Sequence, residues 1–220
     1  MELSYGELED FLAKIHCVAP DRRTALKGRL KHFQRLGWPP GTNKGKGARV
    51  RYDTGQILSL AVAMEMLELG MTPERVVEQL GLHGSDLALG FIDVMASEHP
   101  LEEAVFFIFD PDALRSLRDQ KDGEGRTGLK HLICSQSDLE EALTTTDLRG
   151  WRRLALISMT AILRDYLGVA HDKVTGESFA DVGVEISQWL VGENVSREKL
   201  RRLFKSAFKH GKVPKDGLNP

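Results

Sequence analysis

Residues 22–40 read Arg22-Arg23-Thr24-Ala25-Leu26-Lys27-Gly28-Arg29-Leu30-Lys31-His32-Phe33-Gln34-Arg35-Leu36-Gly37-Trp38-Pro39-Pro40. Leu26, Leu30 and Phe33 recur at helical spacing, which predicts a helix from a cap at Asp21 to Leu36 with one face turned to a core. Stepping about 100° per residue from Leu26 carries Thr24, Gly28, Lys31 and Arg35 to the opposite side, with Lys27 and His32 beside them. One face is apolar and the other is basic. Gly37 to Gly41 cannot extend the helix, because two prolines lack the N–H that its ladder needs, so the chain turns there.

Downstream of the turn, Thr42 to Gly47 forms a basic tip rich in Lys and Gly. Ala48-Arg49-Val50-Arg51-Tyr52 then alternates apolar and basic as a half-exposed strand does, and the expectation is a small hairpin with a basic edge. Tyr52 is expected in the core between that hairpin and the next helix. Upstream, Ser4 and Glu7 have the spacing of a capping box, opening a helix to Ile15 with Leu8, Phe11, Leu12 and Ile15 on one face. Asp53 or Thr54 caps a third helix through Leu69, closed by Gly70. Thr72-Pro73-Glu74 opens a fourth that ends near Leu80-Gly81.

Past Gly81 the pattern predicts a helix over 85–96, a strand over 104–109, a short helix over 112–118 and an exposed loop over 121–128. A second strand is expected over 129–134. Helices are expected over 137–143, 154–167, 179–191 and 196–210. Leu156, Met159, Ile162, Leu163, Tyr166 and Leu167 form an apolar stripe, a candidate dimer interface or equally the core of one subunit. The expected fold class is mainly α: a winged helix-turn-helix unit at 1–80, then a mostly helical α(+β) unit at 85–220.

Charge is distributed unevenly. Residues 22–51 contain ten Lys or Arg and no acid, whereas 53–196 contain eleven basic and twenty-five acidic residues, a balance of −14. Residues 197–215 are basic again, with eight Lys or Arg against Glu198. That last helix, with Leu200, Leu203, Phe204 and Phe208 between its charges, is expected to dock on the acidic middle. An acid-free basic segment is the electrostatic footprint of a nucleic-acid binder, because neutralising phosphates releases condensed counterions.

The run Leu30-Lys-His-Phe33-Gln-Arg-Leu36-Gly37-Trp38-Pro39-Pro40, the Gly/Lys-rich tip, Tyr52-Asp53 and Leu67-Glu-Leu-Gly70-Met71-Thr72-Pro73-Glu74 together resemble the mercury-resistance-regulator (MerR) family over residues 4–80. Three features depart from that family. The connection from Ile15 to Asp21 is longer, and Val50 stands where an Arg usually lies in the wing. Gly81, Gly84, Gly90 and Pro100 interrupt the position of the family's long dimerising helix.

The resemblance implies that the 22–36 helix enters the major groove of double-stranded DNA. Thr24, Lys31 and His32 would then reach base edges, and Gly28 would permit close approach. Arg22 and Arg23 would contact phosphates or bases, with Lys27 and Arg35 completing the helix's share. Lys44, Lys46, Arg49 and Arg51 would lie along the flanking backbone. The function implied is a cytoplasmic bacterial transcription regulator, a homodimer on an inverted repeat, with an effector or protein partner at residues 85–220.

The alternative is a protein-interaction adaptor using the winged helix and the acidic middle. Enzymatic activity in residues 100–170, around Glu102, Glu103, Asp110 and Asp112, is a distant third. No P-loop, dinucleotide-binding glycines, nucleophile elbow or HExxH appears, so neither catalytic residues nor a cofactor is expected. His83, His99, His131 and His171 are not spaced as a metal pair, and Cys17 and Cys134 stand alone, so no metal is expected either. With 220 residues, 41% apolar and 28% charged, the chain can bury a core and is not disordered throughout. It shows neither an apolar run long enough to span a bilayer nor an export signal.

Overall fold

The computed structural model describes residues 1–42, 50–96, 100–111, 131–144, 151, 153–173 and 179–191. The chain is mainly helical, with two small sheets. Helix α1 (Tyr5–Ile15) begins where the Glu7 carboxylate accepts the Ser4 backbone N–H at 2.7 Å. It buries Leu8, Phe11, Leu12 and Ile15.

A 3-10 turn at Pro20–Arg22 leads into α2 (Arg23–Arg35), whose buried face is Leu26, Leu30 and Phe33. Asp21 is not the cap expected of it. The 3-10 turn takes up Asp21, and the residue preceding α2 is Arg22, which gives no side-chain cap. After α2, Gly37 and Gly41 adopt φ of +74° and +80°, and the Trp38 ring packs 5.3 Å from that of Phe33.

Of the expected hairpin, residues 43–49 lie outside the described residues, and of the expected strand over 48–52 the described residues 50 and 51 are not strand. Strand β2 (Tyr52–Asp53) pairs antiparallel with β1 (Glu2–Leu3), Leu3 opposite Tyr52, so the ladder reaches back to the start of the chain. Helix α3 (Thr54–Glu68) follows at once, its Asp53 cap accepting the Gln56 N–H at 2.8 Å. It is buried almost all round, and Gly70 at φ +85° ends the segment.

Helix α4 (Pro73–Ala96) consists of two helical segments that meet at a kink, as the sequence pattern divides them. Its one non-helical residue is His83 (φ −118°, ψ 19°), a kink where Gly81 and Gly84 weaken the ladder. Beyond it lie strands β3 (Val105–Phe109), β4 (His131–Ser135) and β5 (Ala155–Ser158), a three-stranded antiparallel sheet in the order β4-β3-β5. Helices α5 (Gln136–Thr144), α6 (Met159–Lys173) and α7 (Phe179–Val191) complete the described chain.

The helix expected over 154–167 is therefore corrected. Residues 155–158 of that span form β5, with Ala155 and Ile157 buried and Leu156 exposed in strand alternation. Of the two readings of the apolar stripe, the core of one subunit is what Met159, Ile162, Leu163 and Tyr166 show: all four are buried in this chain's own core.

That core is continuous. The ring of Phe11 on α1 meets Tyr166 on α6 edge-on at 5.3 Å, and the Tyr166 hydroxyl lies 2.9 Å from Thr54 Oγ1 on α3. Residues 80–85 lie within α4, and buried side chains from both sides of them share the one cluster. Among the described residues no helix is long and apolar enough to cross a membrane. The expectations over 112–118, 121–128 and 196–210 lie outside the described residues.

Candidate nucleic-acid interface

Helix α2 is fixed from behind and from both ends. Leu26, Leu30 and Phe33 anchor it in the core. Gln34 Nε2 donates to the Tyr52 hydroxyl at 2.7 Å, tying its last turn to β2, and Gln56 Nε2 donates to the Pro40 carbonyl at 2.7 Å, holding the turn that follows. Tyr52 is 1% exposed, the core residue expected of it, and burial raises its hydroxyl pKa against the lowering effect of the Gln34 bond. Tyr5, beside α2 with its hydroxyl 3.5 Å from the Lys27 carbonyl, has its pKa pushed up to about 12 by burial, then by Glu9 and Tyr52.

The outward face carries Thr24, Gly28, Lys31 and Arg35, all exposed, as the 100° construction places them. A Cβ at Gly28 would meet nothing within 4 Å, so the helix surface there is open. No described carboxylate pairs with Lys31 or Arg35. Arg22, Arg23, Lys27, His32 and Arg51, the other described basic residues of the expected interface, are each engaged. Arg23 bonds Asp10, and Lys27 Nζ lies 3.3 Å from Glu9, both acids belonging to α1. His32 Nε2 is 2.7 Å from Glu74 at the start of α4, Arg51 is 3.6 Å from Glu7, and Arg22 is 3.4 Å from Asp21.

Read along the sequence, residues 22–51 are free of acid; in space, α1 and α4 supply it. The signal was present in the Glu7, Glu9 and Asp10 group, but only the packing of α1 against α2 gives it a partner. Each of these pairs has at least one solvent-exposed partner, a setting in which such bridges are worth at most about 1 kcal/mol, so an incoming phosphate can exchange with the carboxylates. His32 is half-buried against Glu74 and is the least available of the residues assigned to base edges. The Glu74 carboxyl is held below its ordinary pKa, first by its own backbone N–H at the start of α4 and then by His32. Lys44, Lys46 and Arg49 lie outside the described residues.

No protein-family model, curated protein or solved structure matches the chain.

Proposed function

We propose that this chain is a sequence-specific, double-stranded DNA-binding regulator of transcription whose first eighty residues form a winged helix-turn-helix of MerR type. The observation that carries the reading is the uncovered stripe of Thr24, Gly28, Lys31 and Arg35 on a helix whose other face is locked into the core. A rigid helix presenting a hydroxyl, a gap and two cations with no partner among the described carboxylates is suited to the major groove, where each base pair shows a distinct pattern. Arg51, with Lys44, Lys46 and Arg49 in the segment before it, supplies flanking phosphate contacts. The working form is a cytoplasmic homodimer on an inverted repeat, with a mass near twice 24.6 kDa and an interface away from the buried α6 stripe.

Fragmented genomic DNA, offered to the purified chain at two salt concentrations and sequenced after retention, tests this. A few enriched sites with a shared motif, lost in a Lys31→Ala/Arg35→Ala variant and weakened in Arg49→Ala/Arg51→Ala, are expected. Retention without enrichment overturns sequence specificity. No retention at either salt overturns DNA binding and favours the adaptor reading, for which the α1–α2 ion pairs are the specific support, since they leave less free cation for phosphate.

A further inference from the structure

Beside the kink in α4, His83 and Asp86, three residues apart on the helix, meet His131 of β4, which is distant from them in sequence. His83, Asp86 and His131 each offer one ligand atom, and the three atoms lie within 4.8 Å of one another. One carboxylate oxygen, Asp86 Oδ2, stands 3.2 Å from His83 Nδ1 and 3.0 Å from His131 Nε2. The two imidazole rings sit 3.9 Å apart, tilted by 48°. The fold places His83 and His131 side by side, although their sequence spacing is not that of a metal pair: His131 opens β4 opposite Phe109 of β3, and His83 sits at the break in α4.

From this geometry we infer that His83, Asp86 and His131 bind one divalent cation of borderline softness, of the Zn2+ class, and so clamp the α4 kink to β4. Two neutral imidazole nitrogens and one carboxylate oxygen are the donors such ions favour. With metal–ligand bonds of about 2.0–2.2 Å, tetrahedral ligand atoms stand about 3.3 Å apart. The two separations to Asp86 Oδ2 fall just short of that, so an ion enters with a small spreading of the three groups. The rings are mostly covered, at 17% and 20% exposed, while Asp86 is 40% exposed, giving the ion a path in and water a place in the remaining coordination position.

Cobalt titration of the chelator-treated full chain tests the site. Saturation at one Co2+ per chain is expected, with the visible absorption of a low-symmetry, nitrogen- and oxygen-ligated ion, abolished by Zn2+ in competition. Affinity should fall more than about tenfold in each of His83→Ala, Asp86→Asn and His131→Ala, and stay unchanged in His171→Ala. In the unmutated chain, Zn2+ should move the imidazole nitrogen resonances of His83 and His131 and leave those of His16 and His171 in place, a readout that requires no variant to fold. No saturable binding, binding retained in the three variants, or resonance shifts at other histidines would overturn the inference. None of these measurements involves DNA, so they stand or fall apart from the regulatory reading.

Discussion

Gly28 has open space where a Cβ would stand, so packing does not require a glycine there. In an exposed helix interior glycine costs about 1 kcal/mol relative to alanine. Gly28→Ala is therefore expected to raise unfolding free energy in urea by about 1 kcal/mol. If the gap serves close seating on DNA, the same variant binds more weakly in a DNA titration; stability and affinity then move in opposite directions. Glu74 separates the same two properties through charge. Its folded-state pKa lies below the unfolded value of 4.5, so the unfolded chain takes up the proton first as pH falls. The stabilisation is complete above about pH 4.5 and is lost as pH drops through the folded value. Glu74→Gln should flatten that acid limb in melts at stepped pH, by a small amount because the side chain is 58% exposed. It also releases His32, and DNA association measured by stopped flow should be faster.

At the level of elements, what was legible was whatever leaves a periodic trace. The apolar faces of α1 and α2 and the span of α7 follow from 3.6-residue spacing, because a core face must recur at that interval. A strand of two residues leaves no trace, so the pairing of β2 with β1 was hidden. The four residues of β5 fit a helical stripe as well as a strand until the alternation of burial distinguishes them. Ion pairs between elements were equally invisible, which is why the basic segment read as more available than it is. Gly55 shows a packing demand that spacing could not reveal. A Cβ on this α3 residue would stand 2.7 Å from Cγ of Trp189 on α7, at the base of a bulky ring. Gly55→Ala is expected to cost about 1–3 kcal/mol in denaturant melts, and combined with Trp189→Ala, which removes Cγ and the ring, it should cost less than the sum of the two single losses.

For the whole molecule, the decisive residue is Tyr166. It is fully buried, meets Phe11 edge-on and bonds Thr54, so α6 completes the core under α1 and α3. Tyr166→Ala should cost about 3–5 kcal/mol, whereas Tyr166→Phe keeps the ring contact and costs about 1 kcal/mol for the lost hydrogen bond. A fragment of residues 1–80 leaves Phe11 and Thr54 without their α6 partners and should show no cooperative melt by circular dichroism. A sharp transition for that fragment would establish that the front segment folds alone.

The acidic edge of α1 lying against the basic edge of α2 has a further consequence under the proposed reading. Glu9 and Asp10 occupy Arg23 and Lys27 in the way phosphates would, as a resident competitor that every stretch of DNA must displace. Random DNA offers only its backbone in exchange and is held briefly. A correct site adds base contacts along Thr24, Lys31 and Arg35, and there the exchange is worth making. A genome presents about a million to a billion wrong positions, so a protein that grips all of them less spends more of its time searching and less of it stuck.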